Sequence, residues 1–194
     1  MEHAALTQIA PRIGLVVLKY LDIYARKFKG LKTSAKITIK NNHQGITLAD
    51  PNVFDFDGNH ETPLDPAIYP GNTPDSSVFS KTFISRGMIS YEILGQKGHN
   101  WNPLYLIVTW KVKLIGKNSL SVNVLEYKPP PLENKTREEK VDLYKKIHKQ
   151  NKTYPNTTAK WPTNDNGSIF SVKGTIDTKY MSTLKALLVF SFIS

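Results

Sequence analysis

The chain has no cysteine among its 194 residues. Without thiols it can form no disulfide, no thiolate metal site and no cysteine-based catalytic centre.

Long apolar runs are also missing. The two longest, residues 13–18 and 186–193, fall far short of the roughly 18 residues of a membrane-spanning helix. Residues 1–20 have no basic segment before an apolar core, so no signal peptide is predicted.

Acidic residues are absent from the stretch between Glu92 and Glu126. Four lysines occur in that stretch: Lys97, Lys111, Lys113 and Lys117. The formal net charge of the whole chain is +10, which attracts anionic surfaces such as phospholipid or nucleic acid. Since acids concentrate in residues 50–75, which have no lysine or arginine, we expect one oriented basic face.

Catalytic and metal-binding signatures are missing as well. The five histidines have no paired zinc spacing, and neither a Gly-x-Ser-x-Gly elbow nor a glycine-rich phosphate loop occurs. Residues 55–61 suggest a calcium-binding loop, but they do not match the EF-hand pattern, because Pro66 occupies the position that requires a bidentate carboxylate. We therefore expect no enzyme, no cofactor and no metal site.

The N-terminus has helical periodicity over residues 8–29. The apolar face carries Ile9, Ile13, Val16, Val17, Tyr20 and Tyr24. The charged face carries Lys19, Asp22 and Arg26. A helix of some 20 residues spans roughly 30 Å, the thickness of a bilayer's hydrocarbon core. Such a helix can pack on a sheet or enter a membrane, and both interpretations stay open.

After this segment the periodicity changes from 3.6 to 2, which indicates strands. They are predicted at 35–40, 53–56, 78–84, 88–94, 104–115, 120–127, 168–177 and 184–193. Residues 85–87 are predicted to separate two strands, and residues 151–167 to form a polar loop holding Trp161. Thr136 and Glu139 have capping-box spacing, which predicts a second helix at about 136–150. We expect a single domain, 1–194, with a mainly β fold: a β-sandwich at 34–194 flanked by two helices.

Several short patterns occur in the order found in actinoporin-like pore-forming proteins. They are Ile-Thr-Ile-Lys-Asn-Asn at 37–42, Pro-Ala-Ile-Tyr-Pro-Gly at 66–71, Ile-Ser-Tyr-Glu-Ile-Leu at 89–94 and Phe-Ser-Val-Lys-Gly-Thr-Ile at 170–176. The chain resembles this cytolysin family over nearly its whole length. The resemblance implies a soluble toxin that recognises a membrane headgroup, inserts its first helix and assembles in several copies into a pore.

On this interpretation the apolar stripe of residues 8–29 enters the membrane, and Lys19, Asp22 and Arg26 line the pore. Membrane or headgroup contacts are expected from six residues of the body: Trp110, Lys111, Lys113, Lys117, Tyr144 and His148. Tryptophan favours the membrane interface, and lysine is attracted to anionic headgroups. Tyr144 matches a tyrosine of the family's headgroup pocket, and His148 falls on the next pocket position.

Residues 109–119 depart from the family, because they lack the proline and clustered aromatics of its phosphocholine pocket. The ligand therefore stays open between another lipid headgroup, an acidic lipid and a glycan. The alternative function is a carbohydrate-binding lectin on a related sandwich. Nucleic acid is disfavoured because no RNA-recognition signature is present. We expect a soluble form that is secreted or released without a signal peptide and acts at a target-cell membrane.

Overall fold

The structure, a computed structural model, describes residues 32–56, 60–75, 77–81, 84–98, 100–113, 117–150, 156–162, 169–179 and 183–193. The predicted helix over 8–29 lies outside the described residues, and so do its membrane-inserting and pore-lining positions. The described residues belong to one compact unit, Lys32–Ser194. No helix among them is long and apolar enough to cross a membrane.

Within these described ranges the chain forms ten strands and one helix. The strands are β1 (Lys32–Lys40), β2 (Thr47–Asp55), β3 (Ala67–Ile68), β4 (Ser77–Lys81), β5 (Ile84–Lys97), β6 (Pro103–Lys113), β7 (Ser119–Glu126), β8 (Asn156–Pro162), β9 (Ile169–Lys179) and β10 (Thr183–Ile193). The helix is α1 (Arg137–Gln150) and lies between β7 and β8.

The strands form two five-stranded sheets. The first has the order β4-β1-β10-β9-β8 and the second β3-β2-β5-β6-β7. Apolar residues of β1 and β4 pack in one core with those of β5, β6 and β7, so the two sheets face each other. The prediction of a mainly β sandwich with a flanking helix is confirmed for this part of the chain.

Strand β6 is buried on both faces. Its even-numbered residues, from Leu104 to Val112, join the core between the sheets, whereas Tyr105 and Ile107 join a second cluster on the outer face. Helix α1 covers that outer face with Tyr144 and Ile147. A strand covered on both sides has to be apolar throughout, which explains the nearly continuous apolar run of β6.

The predicted capping box starts α1. The N–H of Thr136 donates to Glu139 Oε2 over 2.7 Å, and the N–H of Glu139 donates to Thr136 Oγ1 over 3.2 Å. Hydrogen bonds to the Glu139 carboxyl from the backbone N–H and the side chain of Thr136 lower its pKa. The cap satisfies donors that the first helical turn leaves unpaired, so it fixes where α1 begins.

Two sequence predictions are wrong. Residues 85–87 do not separate two strands, because Arg86 pairs with Lys111 and Gly87 with Trp110 inside the continuous strand β5. Gly87 is a packing residue: a Cβ there would lie 2.4 Å from the Trp110 ring. Trp161 lies not in a loop but in β8, where it pairs with Phe170 of β9.

Candidate functional site at the junction of α1 with β5 and β6

Three residues predicted to contact a membrane come together where α1 crosses β6. Tyr144 Oη donates to the backbone oxygen of Trp110 over 3.0 Å. The Tyr144 ring stacks on His148, with centroids 5.0 Å apart and planes inclined by 12°. His148 shares hydrogen bonds with Thr109 through Nδ1, 2.8 Å, and with Ser119 through Nε2, 2.9 Å. This network fixes the position of the helix on the sheet.

The same three side chains lie inside the protein rather than on its surface. Trp110 is completely buried: its Nε1 donates to Ser85 Oγ over 3.2 Å, and its ring packs on Phe79. Tyr144 and His148 are only 6% and 7% exposed, and burial raises the pKa of Tyr144. Trp110 does not fit the predicted membrane contact, because its side chain points between the sheets. Tyr144 and His148 act as supports beneath the surface.

Arg86 and Phe56 belong to the site but were missed in the sequence. The guanidinium carbon of Arg86 lies 4.3 Å from the centroid of the Phe56 ring, in cation–π geometry. Phe56 in turn meets Tyr144 edge to face, with centroids 4.7 Å apart. Arg137, in the first turn of α1, donates to the Phe56 backbone oxygen. The rings of Phe56 and Tyr144 therefore support the Arg86 side chain at the edge of the hydrogen-bonded network around His148.

Arg86, Lys111 and Lys113, here called the basic cluster, share the outer face of β5 and β6. Arg86 lies directly opposite Lys111 in the ladder, and Lys113 lies opposite Ile84. All three side chains are half-buried. Directly opposed residues have Cβ atoms about 4.5–5.5 Å apart, and like charges at that spacing destabilise a sheet. Three cations on one face give this end of the sheet a positive potential, which attracts anions.

Lys117, the remaining predicted contact, is exposed in the β6–β7 connection beyond the basic cluster. The amide side chain of the adjacent Asn118 is buried and accepts from the backbone N–H of Lys113 over 2.8 Å. This bond holds Asn118, the residue directly before β7, against the end of β6. The structure therefore places the three predicted lysines at one end of the second sheet.

No metal centre is formed by the described side chains, since no three histidine, aspartate or glutamate residues among them are grouped closely enough. Residues 57–59 of the rejected calcium loop lie outside the described part of the chain.

The fold and the site define a β-sandwich that carries a helix against a basic sheet face. No family model matches the chain, and no curated protein matches it. Among solved structures it is similar to the lipid-binding protein Nakanori, with a TM-score of 0.58 and 13% identity over 91% of this chain and 78% of that chain. At this identity the similarity establishes the fold.

The lectin XCL of Xerocomus chrysenteron also matches, with 11% identity over 82% of this chain and 98% of the lectin. Its TM-score is 0.38. The similarity to Nakanori supports the resemblance found in the sequence motifs at the level of the fold alone.

Proposed function

We propose that this protein binds a lipid membrane through the basic cluster and permeabilises it by inserting residues 8–29, with several copies forming a pore. It acts by binding and insertion, without catalysis. The observation that carries the proposal is the basic cluster itself, in which two cations face each other across β5 and β6 beside a fixed helix. The similarity in fold to a lipid-binding protein supports the same conclusion.

The free energies of the two contributions indicate that membrane binding proceeds in two stages, adsorption and then insertion. Each cation near an anionic membrane surface contributes about 1 kcal/mol, so the three members of the basic cluster together contribute about 3 kcal/mol. That corresponds to roughly a hundredfold in affinity, which is enough for reversible adsorption. Burying the five side chains Ile9, Ile13, Val16, Val17 and Tyr20 at about 1.5–3 kcal/mol each would add about 7–15 kcal/mol as an upper bound. Stable attachment therefore depends on the N-terminal segment.

The first test compares two triple variants that lose the same charge. Arg86→Gln, Lys111→Gln and Lys113→Gln together remove the basic cluster, whereas Lys36→Gln, Lys40→Gln and Lys128→Gln remove three exposed cations elsewhere. Binding to vesicles of phosphatidylcholine with phosphatidylserine is measured by co-sedimentation. We expect a large loss for the first triple and a small one for the second. Equal losses would show that only net charge matters.

The second test uses the absence of cysteine, which allows a single labelling site. Val16→Cys carries an environment-sensitive dye, and dye emission and vesicle leakage are followed in one sample. We expect the emission to shift to the blue as leakage begins, because the label enters hydrocarbon. Leakage with the label still in water would contradict insertion of this segment.

A further inference from the structure

Trp101 is the most exposed of the large apolar side chains that the structure describes, at 79%. It lies at the tip of the hairpin that joins β5 to β6. The N–H of Trp101 donates to Gly98 O over 3.0 Å, and the N–H of Gly98 donates to Asn102 O over 2.9 Å, which closes the tip. Its φ of 60° is in the left-handed region.

The fold gains little from a tryptophan at this position. Glycine adopts left-handed backbone angles without cost, whereas a residue with a Cβ is strained there. The exposed ring also buries little apolar surface that could offset the strain. Strain of this kind, held in place by the surrounding structure, is typical of sites that bind something.

The tip is held by a carboxylate of the neighbouring strand. Glu126 Oε1 accepts from the backbone N–H groups of Asn100, 2.9 Å, and Asn102, 3.1 Å, and Glu126 Oε2 accepts from Asn100 Nδ2, 3.3 Å. Gly98 lies against the same carboxylate, because a Cβ there would be 2.3 Å from Glu126 Cδ. The Trp101 backbone is therefore preorganised, which lowers the entropic cost of binding a ligand.

The surroundings of Trp101 are rich in amides. Asn100 and Asn102 flank it, and the charged groups next to the tip are Lys97, at the end of β5, and Glu126, whose carboxylate accepts hydrogen bonds from both asparagines. Further exposed polar side chains, Asn42 and Gln44, lie in the β1–β2 turn at the same end of the second sheet. The register places Tyr69 there as well, since Leu48 pairs with Ile68 and Thr47 with Leu94; Tyr69 is 59% exposed.

Amide groups both donate and accept hydrogen bonds, as sugar hydroxyls do, and an indole face suits the apolar C–H face of a sugar ring. A bilayer suits this tip less well, because Asn100 and Asn102 would lose hydration beside a single inserted ring. We propose that Trp101 and the flanking Asn100 and Asn102 form a binding site for a neutral oligosaccharide, which stacks on Trp101.

This site is separate from the basic cluster. Arg86 lies near the start of β5 and Lys97 at its end, so 11 residues of strand put roughly 35 Å between the two sites. Both can therefore be occupied at once.

The test applies the full chain to an array of neutral oligosaccharides ending in glucose, galactose, mannose or N-acetylglucosamine, followed by titration of the strongest binder. We expect Trp101→Gly to weaken binding by at least about tenfold and Trp101→Phe to retain most of it. Trp101→Gly suits the left-handed position, so its thermal midpoint is expected to be no lower than that of the wild type. The triple variant of the basic cluster should bind the sugar normally.

No binding of the wild type to any sugar would overturn the site, as would equal binding by Trp101→Gly. Loss of vesicle binding by Trp101→Gly, with no sugar bound by the wild type, would instead make the tip a membrane contact. If sugar binding is retained while the wild type fails to release dye from vesicles, the proposed pore function fails and this site stands.

Discussion

At the scale of single residues, two buried serines of β5 differ in what their hydroxyls contact. Ser85 Oγ donates to the backbone oxygen of Phe79 over 3.1 Å and accepts from Trp110 Nε1. Ser90 Oγ is buried and has no hydrogen-bond partner among the described residues. The two positions therefore form a matched pair for measuring the energetic value of a buried hydroxyl.

We expect Ser85→Ala to lower the free energy of unfolding by about 1–3 kcal/mol, because it leaves the Trp110 N–H buried without an acceptor. Ser90→Ala should be neutral or stabilising, because it removes a buried group that makes no hydrogen bond. Urea unfolding of both variants measures the difference. A larger loss for Ser90→Ala would contradict this interpretation of the two contacts.

The left-handed conformation of Trp101 leads to a second prediction. Trp101→Gly and Trp101→Ala both remove the ring, but only alanine keeps a Cβ at φ 60°. We expect the glycine variant to be more stable than the alanine variant by about 1 kcal/mol, the reverse of the usual order. Equal stability in urea unfolding would show that the tip relaxes to another backbone conformation.

At the scale of structural elements, the β5–β6 hairpin depends on the charge of one carboxylate. Desolvation raises the pKa of Glu126, but hydrogen bonds from Asn102 and Asn100 outweigh it and the net pKa is lowered. A group with a lowered folded pKa stabilises the fold above its unfolded value. That stabilisation is lost as the pH falls through the folded pKa.

We therefore expect the hairpin tip to loosen only at pH values below the ordinary glutamate pKa. The amide resonances of Asn100 and Asn102 in NMR spectra should titrate together in that acidic range. In Glu126→Gln these resonances should show no such step and should already be broadened or shifted at neutral pH. A wild-type step at or above the ordinary glutamate pKa would contradict the hydrogen-bonded arrangement.

At the scale of the whole molecule, the first and last strands of the described body lie side by side. β1 pairs in parallel with β10 from Lys32 opposite Thr183 to Lys40 opposite Ser191. Together they occupy the interior of the first sheet, with β4 on one side and β9 on the other. The sheet is therefore complete only when the C-terminal strand has been added.

Two truncations should consequently behave in opposite ways. Removing residues 183–194 should abolish cooperative unfolding, because it leaves β1 and β9 without their shared neighbour. Removing residues 1–31 should leave a folded body that still binds vesicles, since Lys32–Ser194 is compact on its own, but that no longer releases dye. Circular dichroism melts measure the unfolding of each truncated protein, co-sedimentation measures its vesicle binding, and dye-leakage assays measure its activity. If the protein without residues 1–31 releases dye from vesicles as well as the full chain does, the proposed mechanism is refuted.

Local patterns in the sequence predicted a large part of this architecture. The alternation of apolar and polar residues predicted most of the strands, and the spacing of Thr136 and Glu139 predicted the start of α1. The order of these elements along the chain indicated a β-sandwich. The candidate contacts were chosen from residues of α1 and β6, and the structure shows that these two elements pack together. Arg86 was missed since Ser-Arg-Gly resembles a turn, whereas the pairing of Arg86 with Lys111 and of Gly87 with Trp110 shows that β5 continues through it.

The sequence by itself determined the mainly β class, the helix cap and the basic character of residues 93–125, because propensity, capping and composition act over a few residues. Only the tertiary structure decided which side chains are accessible. Trp110, expected at the surface, is enclosed between two sheets, whereas Trp101, nine residues earlier, is exposed at a hairpin tip. Strand pairing and a carboxylate from a distant part of the chain determine that difference, and neither is encoded locally.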